Sequence, residues 1–169
     1  MGELWGGREN AMKLKEVLEI LASFERNKLE YAVIGGVAVN FHGIPRTTED
    51  LDFFVRPTPE NIEKLRKALH ELYDDSSIDE ISTEDLSGNY PAVRYYPPDT
   101  DLYLDILTRL GEFASYDDLD IAEIEVDDVK VRLVTPQILY WLKKGTIRDI
   151  DRADAQFLKQ KFQLEDDSE

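Results

Sequence analysis

The stretch Tyr31-Ala32-Val33-Ile34-Gly35-Gly36-Val37-Ala38-Val39-Asn40-Phe41, followed closely by Asp50-Leu51-Asp52-Phe53-Phe54-Val55, decides how this 169-residue chain is read. Tyr31 to Ile34 is a short apolar run that stops at two glycines, the pattern of a buried strand. Val37 to Phe41 reads as a short helix that His42-Gly43 ends and Pro45 forbids from continuing. Leu51 to Val55 is the next strand. On a strand, residues i and i+2 share a face, so Asp50 and Asp52 project together while Leu51 and Phe53 turn to the core. Two such carboxylates repel each other, and a divalent cation between them removes that cost. Alone, an Asp-Leu-Asp strand describes an ordinary polar sheet face. The preceding strand, Gly35-Gly36 and helix add a geometry that receives phosphate. Glycine permits close backbone approach, and a helix start presents free N–H groups at its positive dipole end.

Working outward, Leu14, Val17, Leu18, Leu21 and Phe24 recur at helical spacing and predict an amphipathic helix over Asn10 to Leu29. Thr58-Pro59 is a cap followed by proline at the first helical position, and Ile62, Leu65, Leu69 and Leu72 form the buried face up to about Tyr73. Asp74 to Tyr90 is acidic and irregular. Ala92 to Tyr96 and Leu102 to Leu107 read as strands about a Pro97-Pro98 turn. Ile121 to Val126 and Val129 to Val134 read as a hairpin, with Lys130 and Arg132 placed to pair with Glu123 and Glu125 across it. Thr135-Pro136 opens a helix through Lys144 that Gly145 ends, and Asp149 to about Phe162 is the last helix. This order predicts an α/β (α+β) domain with one mixed β-sheet flanked by helices and a C-terminal helix pair.

Composition bounds the function. Hydrophobic residues make up 42% and charged residues 33%, as in a soluble globular protein, and a net charge of −16 disfavours general nucleic-acid or anionic-membrane binding. No apolar run approaches the ~20 residues of a membrane span, and the N-terminus carries no signal pattern; Met1 to Gly7 reads as a frayed end. With no cysteine there is neither a disulfide framework nor a thiolate metal site. A cytoplasmic location is the expectation. The acidic patches, such as Asp74-Asp75 and Glu165-Asp166-Asp167, read as solvated loops and ends.

Phosphoryl and nucleotidyl transfer need a hold on the polyphosphate, a hold on divalent cations and in-line reacting oxygens. Mg²⁺ takes carboxylates and keeps several waters, and two ions ~3.5–4 Å apart can clamp both the attacking and the leaving oxygen. A third carboxylate on a neighbouring strand would complete such a site. Asp105, between Leu104 and Ile106, is the candidate, and Asp101 is the weaker alternative on the same face.

The residues Gly35, Gly36, Ala38, His42, Gly43, Pro45, Arg46, Thr48, Asp50, Leu51 and Asp52 make up Gly-Gly-x-Ala-x-x-x-x-His-Gly-x-Pro-Arg-x-Thr-x-Asp-Leu-Asp. This resembles the signature of the polymerase-beta-like nucleotidyltransferase superfamily and is most similar to its AbiEii-like branch of abortive-infection and toxin–antitoxin enzymes. The match spans about Tyr31 to Val55, and Asp105 matches the third acid by context. Lys143, Arg148, Asp151 and Asp154 fit a second family motif, from which Ile150 departs where a lysine commonly stands. In the family this lysine region faces the nucleotide and the following acids hold local structure.

The resemblance implies one nucleotidyltransferase domain over residues 1–169, with a core over about 10–134, C-terminal helices over about 135–163 and an acidic tail over 164–169. It implies Mg²⁺ at Asp50, Asp52 and Asp105, two ions in all, and an NTP such as ATP as substrate. The nucleotide would lie against Gly35, Gly36, Arg46, Thr48 and Lys143. A nucleoside monophosphate would pass to a hydroxyl of a tRNA, a protein or a small molecule, with an antitoxin protein as partner. The alternative is a nucleotide-binding or interaction module of the same fold that has lost catalysis. His42 is read as a structural hydrogen-bonding residue, with proton transfer the other use open to it. His70 is read as a surface residue, and Tyr140 and Trp141 as core aromatics.

Overall fold

The computed structural model describes residues 7–45, 48, 50–87, 92–110, 114–144 and 149–165. Helix α1 (Gly7–Arg26) leads to β1 (Tyr31–Ile34), whose four residues are all buried. Helix α2 (Gly35–Phe41), β2 (Asp50–Val55) and α3 (Pro59–Leu72) follow. After a 3₁₀ turn at Ser76–Glu80 come β3 (Ala92–Tyr95) and β4 (Tyr103–Leu107). A small pair, β5 (Arg109–Leu110) and β6 (Ala114–Ser115), precedes the hairpin β7 (Ile121–Val126) and β8 (Val129–Val134). The chain ends with α4 (Pro136–Lys144) and α5 (Asp149–Phe162).

Among the described residues six strands form one mixed sheet in the order β3-β4-β2-β1-β8-β7, and five α-helices accompany it, so the predicted α/β class is the observed one. β1 runs antiparallel to β2, while β2 and β4 are parallel, with Asp50 opposite Tyr103 and Asp52 opposite Asp105. β3 closes that edge antiparallel to β4 and sets Arg94 opposite Asp105. The face opposite the aspartates is apolar: Leu51 and Phe53 are fully buried, and the Phe53 ring lies 5.0 Å from Phe24 of α1. Helix α1 in turn packs on α3, where Ser23 Oγ donates to the Ala68 carbonyl at 2.8 Å.

Several boundaries differ from the sequence expectation. The short helix starts at Gly35 rather than Val37, because both glycines take up its first turn after the extended Ile34. The first helix ends at Arg26 rather than Leu29, since Lys28 takes φ +57° and turns the chain toward β1. The β5–β6 pair has no counterpart in the sequence reading; strands of two residues leave no periodicity to detect. The acidic stretch after α3 is ordered by capping, with the Asp75 side chain accepting from the Ser77 amide at 3.0 Å. Lys130 and Arg132 do cross to β7, but both reach Glu123, at 3.3 and 3.0 Å. No described helix is long and apolar enough to cross a membrane.

One buried amide fixes the end of the β1–β2 pair that lies away from the aspartates. Asn61, 1% exposed in the first turn of α3, accepts from the Glu30 amide at 2.9 Å and donates to the Glu30 and Arg56 carbonyls at 3.0 Å each. Thr58 caps the same turn by accepting from the Asn61 amide. Replacing Asn61 with Ala strands backbone groups that have no water to turn to. The expected cost is about 2–3 kcal/mol of unfolding free energy in urea titration, with the far end of the sheet, and any cation affinity it has, left unchanged.

Candidate active site

The two aspartates leave the start of β2 on one face, and parallel pairing with β4 brings Asp105 alongside Asp52. One carboxylate oxygen from each of Asp50, Asp52 and Asp105 lies within 4.8 Å of the others. This is the group among the described residues whose side chains could jointly hold a metal ion. Asp101 is exposed, lies outside β4 and takes no part in it.

Glycine 35 is what lets Asp52 sit where it does. Its φ of +70° lies in the left-handed region, and a Cβ there would overlap Asp52 Oδ2. Gly35 therefore has a steric duty toward the carboxylate as well as its place at the start of α2. Asp52 Oδ1 is buried and has no hydrogen-bond partner. Burial, then the neighbouring Asp50 and Asp105, push the Asp52 carboxyl up to about 9. Packing so much carboxylate around a buried, unpartnered oxygen leaves a deficit of positive charge. Hard oxygen donors in such a cluster fit a divalent cation such as Mg²⁺.

A cleft of ≈540 Å³ opens over this face. Gly35, Gly36, Asp50, Asp52, Arg94, Asp105, Leu139, Leu142 and Lys143 are among its walls. Lys143 belongs to α4 and is buried, with Nζ donating to Asp151 Oδ1 and Asp154 Oδ2 of α5 at 3.0 Å each. A buried ammonium needs such partners, and the two acids tie the helix pair together at the cleft wall. Thr48 is buried and is not among the residues lining the cleft; its hydroxyl donates to the Asp50 carbonyl at 3.0 Å, which steadies the start of β2. Arg46 and Arg148 lie outside the described residues.

His42 caps the C-terminus of α2 and bonds through Nε2 to the Val134 carbonyl at 2.8 Å. Burial holds it below the usual imidazole range, with Lys161 adding to the effect. A neutral ring donating to a carbonyl is a structural link between α2 and β8, and His42 does not line the cleft. His70 bonds Asp79 at 2.8 Å on the surface, and Tyr140 is buried as expected of a core aromatic. The residue that sequence reading passed over is Arg94. Its Nε donates to Asp105 Oδ1 at 2.8 Å and its Nη2 to Oδ2 at 3.3 Å. The signal was out of reach, since it depends on the register of β3 against β4.

The family model for the nucleotidyl transferase AbiEii toxin of type IV toxin–antitoxin systems matches residues 17–155, which takes in the glycine pair, all three aspartates, Lys143 and Asp154. The chain belongs to the AbiEii family. It is a nucleotidyltransferase enzyme, so a nucleotide is its substrate. No curated protein matches the sequence at a significant level. The fold is shared with solved structures at low identity. A Thermotoga maritima protein assigned as a nucleotidyltransferase is 14% identical with a TM-score of 0.56, over 90% of this chain and 93% of that one. The lincosamide antibiotic adenylyltransferase LnuA, solved with lincomycin, is 19% identical with a TM-score of 0.57, over 86% and 95%. ANT(2")-Ia, solved with adenylyl-2"-tobramycin, is 13% identical with a TM-score of 0.55, over 89% and 90%.

Two predictions follow from the Gly35–Asp52 contact. Gly35→Ala combines a disfavoured φ with the overlap on Asp52, so we expect a loss of about 1–3 kcal/mol in chemical denaturation together with loss of transfer activity. For Asp52, the folded state holds a proton that the unfolded chain releases from 3.8 upward. In metal-free buffer its contribution to stability is full below pH 4 and declines as pH rises toward about 9. Asp52→Asn cannot ionise, so thermal melts without Mg²⁺ should show a flatter decline across that window. A variant as pH-sensitive as the wild type would contradict this account.

Proposed function

We propose that this AbiEii-family enzyme is Mg²⁺-dependent and transfers a nucleoside monophosphate from an NTP to a hydroxyl of a tRNA or a protein, acting as the toxin of a toxin–antitoxin pair. The observation that carries the chemistry is the trio Asp50, Asp52 and Asp105, with its buried, unpartnered Asp52 oxygen, at the floor of a cleft. These three carboxylates would hold the cation, which when bound supplies positive charge to the transferring phosphoryl group. Gly35, Gly36 and Lys143 line the same cleft and are assigned to the nucleotide. Arg46 is assigned to the nucleotide, and Thr48 to holding the start of the acidic strand from beneath.

The reaction joins the acceptor oxygen to the α-phosphorus and breaks the bond to the β-phosphate oxygen, so pyrophosphate leaves. Asp105 is assigned the acceptor's proton, which its carboxylate would take at an oxygen released by Arg94. Leu139 and Leu142 of α4 form an apolar wall that limits water at the reacting centre. The cleft, the sheet and the closing helix pair act as one nucleotidyltransferase domain. The toxin role is supported by the family's own description, and a net charge of −16 suits a basic antitoxin partner and a cytoplasmic setting.

The test is incubation with each of the four α-labelled NTPs and Mg²⁺ in cell extract. One class of macromolecule should acquire label, and chelation should abolish it. Asp50→Asn and Asp52→Asn should each lower labelling by at least about a hundredfold while circular dichroism stays unchanged. Normal labelling by both variants would sink the assignment, and the identity of the labelled species decides between RNA and protein.

A further inference from the structure

Arg94 stands in an unusual position for a cation beside a proposed metal site. It lies on the edge strand β3, directly opposite Asp105, and its guanidinium takes both oxygens of that carboxylate. The same guanidinium rests over the Tyr103 ring at 4.5 Å from its centroid. Tyr96, two residues along and 63% exposed, brings its ring to 5.7 Å from Tyr103. The Arg94 side chain is itself 50% exposed, so burial does not hold it in place. A bidentate carboxylate and an aromatic face do. Lys143, the other basic residue among the cleft's described walls, is engaged with Asp151 and Asp154. Among the described residues, Arg94 is therefore the cation that meets the carboxylate trio.

Occupying both oxygens of Asp105 has two consequences. The guanidinium offsets negative charge on the crowded trio. It also opposes any free dication that needs Asp105, by like charge and by competition for the same oxygens. A dication that arrives on an NTP belongs to a complex of net negative charge, which the guanidinium attracts rather than repels. We propose that Arg94 is a positioning residue that guards Asp105 against free divalent cations, so that metal binding depends on nucleotide. This rests on the metal–nucleotide reading of the site given above.

The experiment is titration of the full chain with Mn²⁺, read by electron paramagnetic resonance, with and without a non-hydrolysable ATP analogue. Without nucleotide, Arg94→Gln should bind Mn²⁺ at least about tenfold more tightly than the wild type. Arg94→Lys keeps the charge but loses the two-pronged grip on Asp105, and should bind Mn²⁺ with an affinity between those of the wild type and Arg94→Gln. Adding Asp105→Asn to Arg94→Gln should reverse the gain, and the nucleotide should strengthen Mn²⁺ binding far more in the wild type than in Arg94→Gln. A merely structural Arg94 gives the opposite sign, since losing the order of Asp105 would weaken the metal. Thermal melts identify any loss of fold, and Arg94→Met, neutral and of similar length, provides a second variant for the same titration. Equal or weaker Mn²⁺ binding by the neutral variants overturns the guarding role alone. No Mn²⁺ binding by any form, with or without nucleotide, overturns it together with the metal reading.

Discussion

Three carboxylates crowded at one end of a sheet set the terms for the rest of this molecule. At the separation found here, two bare charges repel by on the order of 3 kcal/mol even with generous screening. Each aspartate meets that cost differently. Asp50 stays partly exposed at the start of its strand, Asp105 takes the guanidinium of Arg94, and Asp52, partly exposed but with one buried oxygen short of a partner, is pushed up to about 9. The repulsion is thus eased by a guanidinium on one carboxylate and by protonation of another.

The scaffold accepts this cost because the opposite face of the same strands is apolar and closed. Leu51 and Phe53 alternate with the aspartates and sit against α1 with no exposure. Hydrophobic burial of that face outweighs the repulsion on the other, at roughly 1.5–3 kcal/mol for each large side chain. The C-terminal helices complete the arrangement. Lys143 with Asp151 and Asp154 locks α4 to α5, and Lys161 of α5 reaches back to the His42 carbonyl at the end of α2.

Much of the site was legible because its chemistry is local in sequence. Asp50 and Asp52 are two residues apart, the glycine pair sits directly after an apolar run, and strand periodicity alone puts both acids on one face. Asp105 could be named because it alternates with Leu104 and Ile106, although nothing in that alternation said which strand would lie beside β2. Lys143 was readable as a motif residue, but its burial between two acids was not. Arg94 was unreadable, since an arginine in a strand gives no sign of its cross-strand neighbour. The glycines were assigned to phosphate on general grounds, and the steric demand of Asp52 on Gly35 emerged only from the packed backbone.

By itself, then, the sequence determined the order of elements, the mixed α/β class, the pairing of two aspartates on one face and the family to which they belong. Those properties depend on periodicity and on neighbours a few residues apart. The tertiary structure decided which strand brings the third carboxylate, which cation answers it, and why the residue before Gly36 has to be glycine. Each of these depends on strand register and on contacts between segments distant in the chain, and a single sequence carries no record of either until the sheet has formed.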